Sequence, residues 1–168
     1  MTSAQLLSDA FGRIHEAVAE VLDGIPDDAL PVRLDADANS IAWLIWHLAR
    51  VQDDHVAGVA GTEQVWTAAG WSSRFGLRLE DHDIGYGHDS AQVALVVAGA
   101  DLLRGYLDAV HEATRRFVAS LTDADLDRIV DEHWDPPVTL GVRLVSVIAD
   151  NLQHAGQAAY VRGILGRR

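Results

Sequence analysis

Four stretches of this chain repeat apolar residues every three or four positions, and that period commits most of the sequence to helices. The first, residues 3–24, carries Leu6, Leu7, Ala10, Phe11, Ile14, Val18, Val21 and Leu22, with Ser3 placed to cap it and Gly24 to stop it. The second opens at Asn39 or Ser40, both good caps, and runs through Ile41, Leu44, Ile45, Leu48 and Val51 to about Gly58. A third is expected from Ala91 to Ser120, with Gly99 and Gly105 as tolerated breaks, and a fourth from Thr139 to Leu165. No strand alternation competes with them. The expected fold is therefore all-α, a four-helix bundle forming one domain over residues 1–168.

Between helices two and three, residues 59–90 read as a long irregular connection with one short helix near Thr62–Ala69. Loops of that length in a compact domain are often functional. This one holds Trp66, Trp71, Phe75, His82, Tyr86 and His88 among glycines. Residues 130–138 read as extended, with a capped polar turn at Thr122–Asp127 before them.

The charge balance narrows the partners. Thirteen basic and 25 acidic residues give a net charge of −12, which repels phosphate backbones and argues against nucleic acid. No apolar run approaches the roughly 18 residues of a membrane span, and the N-terminus lacks the apolar block of a signal peptide, so the expectation is a soluble cytoplasmic protein. The chain has no cysteine, which removes disulfides, thiolate metal ligands and a protein thiol nucleophile. Any thiol chemistry must bring its sulfur with a small molecule.

Asp150 and His154 stand four residues apart in the proline-free stretch Val147–Gly163. On a helix they are about 40° apart around the axis and about 6 Å along it, a carboxylate and an imidazole on one face. That is half of a metal site, and equally an ordinary polar pair on a surface. His47 supplies the third group. Its neighbours at three and four residues are Trp43, Leu44, Arg50 and Val51, three of them apolar, so it should point inward. Bundles build metal sites from such inward side chains on facing helices. Two imidazoles and a carboxylate leave part of the coordination sphere open, the catalytic rather than the structural pattern. Zinc leads, and nickel or ferrous iron fit the same ligands.

Six blocks in order, NSIAWLIWHLARVQDDHVA, EQVWTAAGW, RFGL, HDIGYGH, WDPPVT and DNLQHAGQAAYVRG, resemble the DinB/YfiT-like superfamily over essentially the whole chain. Within it they resemble the actinobacterial DinB-family mycothiol S-transferases. The resemblance implies a bundle of up-down-down-up connectivity with a long crossover after helix two. It also implies a divalent metal on His47, Asp150 and His154, and relatives suggest a homodimer. Many relatives carry histidine or glutamate where Asp150 stands, so the shorter aspartate demands a closer helix approach. Some carry histidine in place of Gln157, which here serves as a pocket or ligand-orienting group.

These features lead to a metal-dependent transferase that uses a low-molecular-weight thiol, mycothiol above others, against an electrophilic small molecule, as in detoxification. Asp54, two helical turns beyond His47, is a candidate to orient a metal ligand. Trp46, Trp66, Trp71, Tyr86, His88 and Gln157 are candidates to line the substrate pocket. The rivals are a metallohydrolase of the same fold, disfavoured because helix four offers no glutamate base, and a non-catalytic metal-binding helical protein.

Overall fold

The computed structural model describes residues Met1–Arg167. Four long helices carry the architecture: α1 (Ser3–Leu22), α2 (Ile41–Ala60), α6 (Ala100–Ala119) and α7 (Leu140–Leu165). The crossover between α2 and α6 holds three short ones, α3 (Val65–Ala68), α4 (Trp71–Phe75) and α5 (Ser90–Val93). A minimal antiparallel ribbon, β1 (Ile129–Asp131) with β2 (Val138–Thr139), pairs Ile129 with Thr139 and leads into α7.

In cross-section α1 and α2 each pack against both α6 and α7. Arg162, near the end of α7, donates to the Glu20 and Asp23 carbonyls at the end of α1, so those two helices are parallel. Ser3 at the start of α1 reaches Asp123 just past α6, so that pair is antiparallel. Arg128, ahead of α7, donates to the Val59 carbonyl near the end of α2, which makes α2 and α7 antiparallel. The connectivity is up-down-down-up, as the resemblance implies.

Capping explains the boundaries. Thr2, not Ser3, caps α1, because its hydroxyl accepts from Gln5 N while the Gln5 side chain returns to Thr2 N. Ser40 caps α2, and left-handed Gly61 ends it two residues later than the sequence suggests. The expected 91–120 helix is broken into α5 and α6. Asp27, from the turn after α1, accepts from Ala100 N at 2.8 Å, giving α6 a cap from another part of the chain. A Cβ on Gly99 would meet that carboxylate at 2.7 Å, so the glycine admits the cap.

The core gathers Phe11, Ile14, Val18, Ile45, Leu48, Leu103, Tyr106, Leu144 and Ala158 from all four helices. A polar chain crosses it: Asn151 Nδ2 donates to Gln52 Oε1 (2.8 Å), and Gln52 Nε2 donates to Thr114 Oγ1 (2.9 Å). The Asn151–Gln52 bond favours one axial register of α7 on α2, since a slip would leave buried amide groups unpaired. That register sets Asn151 beside Gln52, and one turn further along α7 it sets His154 against His47.

Candidate metal centre

His47, Asp150 and His154 come together where α2 faces α7. One ligand atom from each lies within 4.8 Å of the others. His154 Nε2 stands 3.6 Å from Asp150 Oδ1. That is too long for a hydrogen bond and close to the roughly 3.4 Å between neighbouring ligands of a tetrahedral zinc.

Both imidazoles are held by their other nitrogen. His47 Nδ1 sits 2.5 Å from the Ile84 carbonyl, which can only accept, so Nδ1 carries the proton. His154 Nδ1 pairs with Gln157 Oε1 at 2.9 Å, leaving its Nε2 lone pair free as well. Engaging the distal nitrogen in this way fixes tautomer and ring orientation for a cation. Asp150 Oδ2 is buried without a hydrogen-bond partner. An orphaned carboxylate oxygen on a residue clustered with two imidazoles is what a divalent ion would satisfy. The donor set fits zinc, nickel or ferrous iron.

The electrostatics agree. Burial lowers the pKa of His47 and keeps it neutral, the form that ligates. The adjacent Asp150 raises His154, and the His154 imidazole in turn lowers Asp150.

The crossover closes over this face. Trp43, one turn before His47, stacks on its ring at 4.5 Å and donates from Nε1 to His88 Nδ1 at 3.1 Å. His88 Nε2 then pairs with Asp83 at 2.9 Å. Gly85 is wedged among them, with φ +89° and room for no side chain: a Cβ would meet His47 Nδ1 at 2.7 Å and Trp46 at 3.0 Å. Gly85→Ala is expected to destabilise the fold by ~1–3 kcal/mol. It should also weaken metal binding by pulling the Ile84 carbonyl off His47. Isothermal titration with zinc checks this, and parent-like affinity would show that the contact does not orient the ligand.

The other anticipated residues divide. Gln157 touches His154 and lines a cleft of about 590 Å³ with Leu44, Gln153, Gly156 and Tyr160. Tyr86 is almost fully exposed and borders a separate cleft of about 340 Å³ with His82 and His88. The His88 side chain is buried and acts through Trp43. Trp46 and Trp66, expected to line a substrate pocket, are both buried in the core. Their rings pack on each other, Trp46 also on His88, and Trp66 on Phe75 and Tyr106. Trp71, half-buried, fills the gap that Gly105 leaves beside Tyr106. Asp54 bonds to His55 Nδ1 (2.9 Å) and Gln64 Nε2 (2.8 Å) rather than to a clustered residue.

Sequence reasoning missed Trp43, Gly85 and Arg50. Trp43 counted only as an apolar neighbour, and Gly85 is marked solely by the glycines of DIGYGH. Arg50 is fully buried. It donates to the Asp81 and Asp83 carbonyls, Gln64 Oε1 and the Tyr106 hydroxyl, and lies 4.8 Å over the Trp66 ring.

Fold and site together describe a helical bundle with a two-histidine, one-carboxylate centre between its second and last long helices. The chain belongs to the DinB superfamily, whose family model matches residues 10–158. It is also similar to a conserved protein from Enterococcus faecalis known by its crystal structure. That likeness has 32% identity and a TM-score of 0.93, over 100% of this chain and 99% of the other. No curated protein matches.

Proposed function

We propose that this chain is a divalent-metal-dependent transferase joining a low-molecular-weight thiol to an electrophilic small molecule. The observation that carries the reading is the convergence of His47, Asp150 and His154 with both histidine Nδ1 atoms engaged elsewhere. A divalent cation bound by the three would act as a Lewis acid, making a thiol beside it more acidic and so more nucleophilic. The chain itself offers no cysteine, so the attacking sulfur belongs to the cosubstrate. Mycothiol is the leading choice, through the resemblance to mycothiol S-transferases.

The protein's part is positional. Ile84 and Gln157 hold the imidazoles, Trp43 stacks against His47, and Gln157 also lines a cleft that could receive a small molecule. In the reaction the thiol S–H gives up its proton to solvent and its sulfur pair forms an S–C bond to the electrophilic carbon. That carbon's leaving group departs with the pair of the bond that breaks, or an activated double bond opens and its carbanion takes up a proton.

The test follows consumption of a generic electrophile by zinc-loaded protein with and without mycothiol. Turnover should require the thiol and fall by at least about 100-fold in His154→Ala, as expected when a metal ligand is lost. Turnover that ignores the thiol would replace this reading with hydrolysis. A metal-loaded protein inert under both conditions would point to a binding role.

A further inference from the structure

The α7 face that carries Asp150 and His154 continues in both directions. Gln157, three residues past His154, lines the cleft already described. Arg143, seven residues before Asp150, is two turns back, about 10 Å along the axis and within about 20° around it. It lines a different cleft, of about 450 Å³, between the end of α2 and the ribbon that leads into α7. Asp54, His55, Gly58 and Val59 form the α2 wall, and Arg128 with Ile129 and Val130 of β1 the opposite one. The clustered residues therefore lie between two clefts, one toward each end of α7, which suits a reaction of two small molecules.

Charge sets this second cleft apart. On a chain of net charge −12, two of thirteen basic residues and a histidine converge here. Each arginine is anchored through Nη2: Arg128 donates to the Val59 carbonyl (3.0 Å) and Arg143 to Asp131 Oδ2 (2.9 Å). Among the described residues, their Nε and Nη1 atoms make no further hydrogen bond. The neighbouring carboxylates are already engaged, Asp54 by His55 and Gln64, Asp131 by Arg143 and His133. No acidic residue stands in the first turn of α7, so the positive end of its dipole adds to the field. The cleft is also close to the centre: after the larger effect of His154 and that of His47, His55 helps to lower the Asp150 carboxyl.

We propose that this cleft is an anion subsite, in which Arg128 and Arg143 hold a carboxylate of the electrophile while its reactive carbon extends toward His47, Asp150 and His154. Guanidinium groups present paired N–H donors that match a carboxylate, and two on one cleft fix its position as well as its charge. The roughly 10 Å from Arg143 to Asp150 along α7, less the reach of the arginine side chain, is the span of a single-ring aromatic acid. That the ligand is the electrophile rests on the transferase reading; that the cleft takes a carboxylate does not.

Isothermal titration of zinc-loaded protein with 4-methylbenzoate, which cannot react, tests the subsite with no thiol present. A dissociation constant of about 1 mM or tighter is expected, with no binding of 4-methylbenzamide. Arg128→Gln should weaken the benzoate by about ten-fold, as loss of a charge-assisted hydrogen bond does. Arg128 is exposed, so this variant keeps the fold even where Arg143→Gln, which unpairs Asp131, does not. Parent-like zinc affinity shows that the cluster is intact. A second arm follows 4-(bromomethyl)benzoate and its amide with mycothiol, whose sulfur displaces bromide from the benzylic carbon of either. The parent's kcat/KM should favour the acid by about ten-fold, and Arg128→Gln should abolish that preference. Benzoate binding that weakens in Arg128→Gln, with neither bromide consumed, would uphold the subsite and overturn the transferase reading. A parent that binds no benzoate, or binds acid and amide alike, would overturn the proposal. So would benzoate held as tightly by Arg128→Gln as by the parent, the result expected if zinc alone took the carboxylate.

Discussion

His154→Ala is expected to strip the chain of its metal. Purified without a histidine tag, the parent should carry about one divalent ion per chain by mass spectrometry, and the variant a small fraction of that. Added zinc should raise the parent's melting temperature and a chelator should lower it. Saturation at about 100 times the dissociation constant stabilises by ~2.7 kcal/mol, or some 5–10 °C for a chain of this size. The variant should show neither shift. The pH dependence has a definite sign. Only neutral imidazole ligates, so protons compete with metal and affinity falls as the pH drops. Asp150 raises His154 whereas burial lowers His47, so His154 takes up the first proton and the loss begins there. Affinity should be level at high pH and decline as the pH falls, first as His154, raised above the ordinary histidine range by Asp150, takes up its proton. A triple variant lacking His47, Asp150 and His154 that kept its full metal complement would end the assignment.

The three clustered residues were legible because each clue was local. Four-residue spacing fixes Asp150 and His154 on one helix face, and three apolar neighbours turn His47 inward. Each needs only helix geometry. What escaped depends on contacts between segments far apart in the chain. The break between α5 and α6 looks like a mid-helix glycine until Asp27, more than 70 positions away, supplies the cap. Trp46 and Trp66 resembled pocket residues because aromatics clustered around a glycine-rich crossover invite that reading. Folding turns those rings inward, where Phe75 and Tyr106 complete the cluster. Arg50 was unreadable for the same reason. An arginine on an apolar face is ordinarily an exposed edge, and only the returning crossover gives it enough acceptors to be buried.

That burial makes the neighbourhood of Arg50 the most sensitive place in the fold outside the apolar core. Asp53, itself buried, accepts from Val65 N (2.9 Å), Trp66 N (2.8 Å) and the Tyr106 hydroxyl (2.8 Å). Its Oδ2 lies 3.7 Å from Arg50 Nη1. Burial pushes its carboxyl upward while these donors and Arg50 pull it down. Asp53→Ala would leave the guanidinium without a carboxylate and unpair the first amides of α3. The expected loss is ~3–5 kcal/mol, or about 6–20 °C in melting temperature. Arg50→Lys separates stability from metal binding. An ammonium cannot reach Asp81, Asp83, Gln64 and Tyr106 together, so residues 81–84 should loosen and the Ile84 carbonyl should leave His47. Zinc affinity should then fall by ten-fold or more, as it does when a ligand's orienting partner is removed, although Arg50 touches no ligand. If Arg50→Lys instead bound zinc like the parent while melting early, the crossover would be held over His47 by Trp43, Trp46 and His88 packing alone.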